Sequence, residues 1–315
     1  MKFVTLADVR AAAGRMEGVV LRTPLLSSLT DTGRSLWLKP ESFQPIGAFK
    51  LRGAMNAIAC LDAERRACGV IAYSSGNHAQ AVAYAAKRYG IPAVIVMPDV
   101  APRIKAEATR AYGAEVVEVP IGEHEATAHA LAVERGLTLI PPYDDATVVA
   151  GQGTVGLEIA EDLPDVDVVL VPVSGGGLAS GVGVAVKALR PQAQVIGIEP
   201  ELAADTAEGL RLGHQVDWSV ADRARTIADG LRAQPSELTF AHLRKVLDGM
   251  VTVGEDEIRA AVRALARRAR LIAEPSGAVT TAACLFHSHE LPPGKTVAIV
   301  SGGNIDPALL ATLLA

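Results

Sequence analysis

Cysteine is scarce in this 315-residue chain: Cys60, Cys68 and Cys284 are odd in number and show no CxxC spacing, so neither a disulfide framework nor a thiolate zinc site is expected. Long apolar runs are also missing. Half of the residues are apolar, yet the longest runs, such as 166–173, are broken by Asp or Pro, well short of the ~20 residues that a membrane span requires. The N-terminal MKFVTLADVRAAAGR lacks the apolar core of a secretory signal and reads as an amphipathic helix, so a cytoplasmic address is expected. There is no basic excess: 30 Lys and Arg stand against 35 Asp and Glu, a net charge of −5. A phosphodiester backbone would require a basic face, so no nucleic-acid partner is expected and a small molecule is favoured. No low-complexity linker or long-period repeat is found.

What is present is a rhythm. Short β-branched runs alternate with Ala-rich segments of helical period, and Gly or Pro marks most junctions, which reads as α/β. Strands are expected at 69–74, 92–97, 114–119, 137–142, 166–173, 194–199 and 296–301, most of them apolar on both faces as in helix-covered parallel sheets. Helices are expected at 77–90, 101–113 and 122–136, each ending at a Gly. The expected organisation is a smaller unit at 69–145 inserted into a larger one made of 1–68 and 146–315.

Ligand-binding character concentrates at strand ends. The run VDVVLVPV leads into Ser174, Gly175, Gly176, Gly177 and Leu178 and then an Ala/Val-rich helix. Successive glycines let several N–H groups converge beside a helix N-terminus, which suits a phosphate; a tight turn alone needs fewer. The absence of GKS or GKT argues against a Walker-type nucleotide site. Ser74, Ser75, Gly76 and Asn77, followed by His78, form a second small polar turn suited to a carboxylate, or to ordinary helix capping. Ser301 opens a third, SGGNID, after the last apolar strand. The GxGxxG at Gly151, Gly153 and Gly156 would suggest a dinucleotide and an NAD-dependent dehydrogenase, but the flanking DDATVVAGQGTVGLEIA reads as continuous helix with small residues for close packing.

Lys50, in SFQPIGAFKLRGA, sits between Phe49 and a small-residue turn. Desolvation there makes the amine neutral often enough to form a Schiff base. A phosphate cradle, a carboxylate turn and a serine-bearing strand end beside such a lysine fit pyridoxal 5′-phosphate, which carries a phosphate, an aldehyde and a ring nitrogen.

SFQPIGAFKLRGA, SSGNHAQAVAYAAK, VPVSGGGLASG, IEPELAAD, AEPSGA and IVSGGNID together resemble, in order and over nearly the whole chain, the signature segments of the serine/threonine dehydratase and serine racemase group, fold-type II pyridoxal-phosphate enzymes. The resemblance implies two open, twisted, mostly parallel sheets flanked by helices, and a homodimer. It implies that Lys50 forms the internal Schiff base and shuttles the Cα proton, with Phe49 against the cofactor. It further implies that Ser174, Gly175, Gly176, Gly177 and Leu178 bind phosphate, that Asn77 contacts the ring hydroxyl and that Ser301 meets the pyridine nitrogen. Ser74, Ser75, Asn77 and His78 would hold the substrate carboxylate. A serine at the pyridine nitrogen does not enforce its protonation, which favours loss of a β-substituent. The implied activity is therefore dehydration of a β-hydroxy amino acid such as L-threonine or L-serine to a 2-oxo acid and ammonia. Ser75, where racemase-like members carry Ser, would allow proton delivery from the face opposite Lys50, and hence racemase activity, or would simply cap the helix. Glu199, the Ala203 carbonyl and Asp205 match positions that hold Mg²⁺ or Ca²⁺ in racemase-like members.

The chain departs from its relatives at Ser174 (often Gly), at Tyr143 (Asn in some), at GEHEATAHA where the racemase has an arginine, and at QPIGAF in place of QKTGSF. These changes leave serine, threonine, threo-3-hydroxyaspartate and bulkier β-hydroxy amino acids open. With Ala315 directly after SGGNIDPALLATLLA, no C-terminal regulatory domain is expected, and a catabolic enzyme fits better than a feedback-controlled one.

Overall fold

A computed structural model describes residues 2–27, 34–101 and 103–315. The fold is α/β, with two mostly parallel sheets flanked by helices. Among the described residues ten strands form: β1 (Leu26–Ser27), β2 (Leu36–Pro40), β3 (Val70–Tyr73), β4 (Ala93–Pro98), β5 (Glu115–Val119), β6 (Thr138–Leu139), β7 (Val168–Pro172), β8 (Gln194–Pro200), β9 (Gly249–Val253) and β10 (Thr296–Val300). The larger sheet has the order β1-β2-β10-β7-β8-β9 and the smaller β5-β4-β3-β6. Only the β1/β2 pair is antiparallel. Every residue of β7 and β10 is buried, which accounts for their largely apolar composition: each is flanked by a strand on both sides and covered on both faces.

All seven expected strands form, but β1, β2 and β9 were not expected. β2 carries Lys39 and Pro40, which mask a strand pattern; the Lys39 amine is nevertheless fully buried and paired with Glu158 at 2.6 Å. The expected strand at 137–142 shrinks to Thr138–Leu139, because Pro141 and Pro142 have no N–H with which to extend the ladder. The expected helices run over Asn77–Tyr89, Arg103–Ala111 and His124–Arg135; Pro102, in the expected start of the second, lies outside the described residues.

The GxGxxG lies inside one 17-residue helix, Ala146–Asp162, rather than in a strand-turn-helix. Its glycines allow close helix contacts. A Cβ on Gly151 would lie 2.5 Å from the Arg52 carbonyl, and one on Gly156 2.5 Å from the Val182 carbonyl. That placement removes the basis for a dinucleotide site and for the dehydrogenase alternative.

Parallel strands place their C-terminal ends, and the turns that follow, on one side of a sheet. Ser174 follows β7 and Ser301 follows the adjacent β10, while Ser74 follows β3 of the smaller sheet. Among the described residues, no helix is long and apolar enough to cross a membrane.

Candidate active site

Lys50 is the first residue of the helix Lys50–Ala59, and the segment before it is stitched to the end of β10. The Phe49 N–H donates to the Ser301 carbonyl at 3.0 Å, and Ala48 bridges Gly302. The turn into this segment requires Gly47, whose φ is +73° and on which a Cβ would lie 2.4 Å from Asn304 Oδ1. Lys50 Nζ donates to the Pro142 carbonyl at 2.8 Å and lies 5.2 Å from the centre of the Phe49 ring. Among the described residues no carboxylate pairs with it, and desolvation lowers its pKa to about 8. About a tenth of such amines are neutral at pH 7.

His78 is buried beneath this amine. Burial first, and the Lys50 charge second, lower its pKa to about 3, so the ring is neutral. Nε2 lies 2.8 Å from the Ile140 carbonyl, which can only accept, so Nε2 carries the hydrogen and the buried Nδ1, which has no partner, is a bare acceptor. A bare acceptor cannot bind a carboxylate. Of the His78 groups, the main-chain N–H at the helix start, rather than the ring, is the one that can donate to a carboxylate.

The turn after β7 is built from main chain. Among the described residues, none of the N–H groups from Ser174 to Ala179 donates to a protein acceptor, and Gly175 to Ala179 are buried. Gly176, at φ +84°, caps the helix Gly177–Leu189. Tyr143 covers the turn so closely that a Cβ on Gly175 would lie 2.3 Å from its ring and one on Gly177 2.9 Å from its Cβ. The preceding residue, Pro142, is the one that holds Lys50, so the lysine and the glycine turn are joined through two adjacent residues. The Ser174 hydroxyl is occupied: it donates to the Ala233 carbonyl at 3.1 Å and accepts the Ala233 N–H at 3.0 Å.

The polar turn after β3 is half-buried. Ser74 Oγ accepts the Gly76 N–H at 3.1 Å. Asn77 Nδ2 donates to Glu274 Oε1 at 2.6 Å, and Asn77 Oδ1 accepts from Asn304 Nδ2 at 2.7 Å. Glu274 is buried at the start of the helix Pro275–Phe286, and burial raises its carboxyl to about 8. Ser301 is buried, with Oγ 3.5 Å from the Ser276 carbonyl, a long contact that leaves the hydroxyl able to turn. Direct contacts therefore link Phe49 to Ser301, Lys50 through Pro142 and Tyr143 to the turn at 174–178, and Asn77 through Asn304 to Ile46.

Glu199 and Asp205 stand apart from this set, at the end of β8. Glu199 is buried and accepts the N–H groups of Thr206 at 3.3 Å and Ala207 at 2.8 Å. Burial, then the charge of Asp205, raises Glu199 to about 8; burial raises Asp205 to about 6 against the opposing pull of Arg223. Among the described residues, no three His, Cys, Asp or Glu side chains cluster as a metal site.

Four features were not foreseen from the sequence. Glu274 lies in the quoted AEPSGA and Asn304 in SGGNID, but neither segment signals a contact with Asn77. Tyr143 shows its packing on the glycines only in three dimensions. The fourth is a buried charge network two residues after Lys50. Arg52, 1% exposed, binds Glu41 at 2.7 and 2.8 Å and Glu158 at 2.6 and 2.9 Å, and it fixes the helix of Lys50 against β2 and the helix Ala146–Asp162.

The family model described as pyridoxal-phosphate dependent enzyme matches residues 16–302. The chain is 42% identical over 316 residues to the L-threo-3-hydroxyaspartate ammonia-lyase of Saccharomyces cerevisiae, covering 98% of this chain and 96% of that one. It is 44% identical over 320 residues to the L-threonine ammonia-lyase of Thermotoga maritima, covering 99% and 78% respectively. The structure of maize serine racemase superposes with a TM-score of 0.94 at 38% identity, covering 99% of this chain and 97% of that one. The glycine turn with its unpaired N–H groups, the uncharged surroundings of Lys50 and the family match agree with one another, and the chain belongs to the pyridoxal-phosphate dependent enzymes.

Proposed function

We propose that the protein is a pyridoxal-phosphate-dependent ammonia-lyase that converts a β-hydroxy amino acid, such as L-threonine or L-serine, to a 2-oxo acid and ammonia. The observation that carries this reading is Lys50: a partly accessible amine without a carboxylate partner, lowered to about 8 and linked through Pro142 and Tyr143 to a turn of unpaired main-chain donors. The residues fit the cofactor, because only glycine fits the turn, a Cβ there meeting Tyr143 or Thr239, and its buried N–H groups, without a protein acceptor among the described residues, suit an anionic one.

Lys50 Nζ would anchor the aldehyde carbon, the 174–178 turn would hold the phosphate, Asn77 would meet the ring oxygen and Ser301 the ring nitrogen, with Phe49 alongside. Pyridoxal phosphate, when bound, supplies an electron sink for the bond broken at Cα. Lys50 Nζ takes the Cα proton, a task suited to an amine with a pKa of about 8. Ser74, Ser75 and the main-chain N–H groups of Asn77 and His78 orient the substrate carboxylate. As the Cα–H and Cβ–O bonds break, the β-hydroxyl leaves as water, its extra proton balanced by the one that Lys50 Nζ takes from Cα. The released enamine tautomerises and takes up water, giving the 2-oxo acid and ammonia.

A second reading has a specific observation behind it. Ser75 is half-buried in the turn between β3 and Asn77 and is the residue suited to return a proton to Cα from the face opposite Lys50, so amino-acid racemisation is a companion activity. Glu199, the Ala203 carbonyl and Asp205 form the proposed Mg²⁺ or Ca²⁺ site; two buried carboxyls held above their ordinary range by burial, with the Asp205 charge adding to Glu199, are stabilised by a cation. We further propose that 69–145 is a separate unit from 1–68 and 146–315. Across the division, Asn77 reaches Glu274, and Lys105 pairs with Asp229 at 2.8 Å. A cytoplasmic homodimer completes the reading.

The test is optical and then chemical. Purified protein given pyridoxal phosphate should be yellow, and borohydride should bleach the band and label the peptide containing Lys50. Detection of 2-oxo acid across β-hydroxy amino acids, with chiral analysis of the remaining substrate, separates lyase from racemase. A colourless protein that cannot be reconstituted overturns the reading.

A further inference from the structure

Four hydrogen-bonding groups from distant parts of the chain form a directed series that begins beside Lys50. The Ile46 carbonyl, four residues before the lysine, accepts from Asn304 Nδ2 at 2.7 Å. A carbonyl can only accept, so this bond fixes which end of the Asn304 amide faces it. The second hydrogen on Asn304 Nδ2 is then directed to Asn77 Oδ1, also at 2.7 Å. With its oxygen committed, Asn77 turns Nδ2 toward Glu274 Oε1 at 2.6 Å. A carboxyl oxygen accepts whether or not the group is protonated, so the series survives the raised pKa of Glu274. One of the two hydrogens on Asn77 Nδ2 remains unassigned.

The series is also sterically locked. A Cβ on Gly47 would lie 2.4 Å from Asn304 Oδ1, and a Cβ on Gly302 2.2 Å from Glu274 Oε1 and 3.2 Å from Asn77 Nδ2. Both glycines flank the segments that carry Lys50 and Ser301, so the amides can approach only because those two positions are bare.

We propose that Glu274 and Asn304 are positioning residues that hold the Asn77 amide in one orientation, so that its remaining Nδ2 hydrogen is presented to the ring oxygen of the cofactor. This rests on the pyridoxal-phosphate reading above. Neither residue reaches the reacting atoms; each acts through Asn77. A hydrogen bond to an anionic ring oxygen weakens that oxygen's hold on the neighbouring proton, so it lowers the pH at which the visible band of the loaded protein changes. Loss of the orientation raises that pH.

The test is a pH titration of the visible band with pyridoxal phosphate bound, together with the cofactor dissociation constant and the melting temperature of each variant. In Asn304→Asp the carboxylate cannot donate to Ile46 or Asn77, so the Asn77 amide turns over; the midpoint should rise by about one pH unit and cofactor binding should weaken about tenfold. Glu274→Ala should move the midpoint the same way, whereas Glu274→Gln, which keeps an accepting oxygen, should retain the wild-type midpoint. Should Glu274→Ala fail to fold, Asn304→Asp and Asn304→Ala carry the test, since Asn304 is only half-buried. Lower melting temperatures with an unmoved midpoint mean a purely structural role and overturn the inference alone. Wild-type protein lacking the visible band overturns the functional reading and this inference with it.

Discussion

The two polar turns proposed to hold the cofactor and the substrate are built from different materials. The turn at 174–178 follows a strand enclosed on both sides, is mostly buried, and offers main-chain N–H groups; its one hydroxyl, on Ser174, is spent on Ala233. The turn at 74–77 follows a strand of the smaller sheet, is half-buried, and offers side chains whose settings depend on Glu274, at a helix start, and Asn304, in the loop after β10. A main-chain site is rigid and can be disturbed only by adding atoms. A side-chain site can be tuned, or lost, by removing them. This division suits a phosphate that stays bound and a substrate that must enter and leave.

The largest expected effect removes the group that both turns serve. Lys50→Ala should abolish the borohydride-sensitive band and reduce 2-oxo acid formation by about 10²–10⁴-fold or more, measured as kcat. Next comes a direct contrast of added atoms. Gly175→Ala places a Cβ against the Tyr143 ring, so the ring or the turn must move; cofactor affinity should fall by about tenfold or more and stability by about 1–3 kcal/mol. Gly76→Ala meets nothing within 4 Å and should leave cofactor affinity as in wild type, measured by fluorescence titration. Equal losses from the two would break the comparison.

Removing atoms should give the opposite ranking. Ser75→Ala should lower racemisation by about 10²-fold while elimination persists, read by chiral chromatography beside 2-oxo acid formation. Ser174→Ala should lower stability by about 0.5–1.5 kcal/mol through its two bonds to Ala233 and leave both activities in place, read by denaturant titration and the same assays.

The last expected effect is a pH dependence away from both turns. The folded-state pKa of Glu199, about 8, lies above its ordinary 4.5, so the folded state binds the proton more tightly. Its contribution to stability is complete below about 4.5 and is lost as pH rises through about 8. Glu199→Gln should flatten that loss, which is on the order of 1 kcal/mol or more, and Mg²⁺ or Ca²⁺ should restore wild-type stability at pH 8. A cation without effect on the wild-type melting temperature counts against the proposed metal site.

The fold and the site were legible to different depths. β7, the glycine turn and the following helix are contiguous, and each element carries its own local signal: an apolar run, glycines, then small residues at helical spacing. The helix over the GxGxxG was legible for the same reason. β2 was not, because its burial of Lys39 depends on Glu158, 119 residues away. The state of the His78 ring was not legible either; only the Ile140 carbonyl, 62 residues on, shows which nitrogen carries the hydrogen.

Lys50 marks the boundary between the two kinds of information. The sequence by itself determined that a lysine follows a bare, glycine-bearing turn and that three Ser- or Gly-rich turns end apolar strands, since conformational freedom and side-chain type are local properties. Only the tertiary structure decided that the amine has no carboxylate partner, that its pKa falls to about 8, and that Asn77 is held between Asn304 and Glu274. Desolvation and hydrogen-bond direction are set by whatever packs around a group, and around this lysine those neighbours come from segments far apart in the chain.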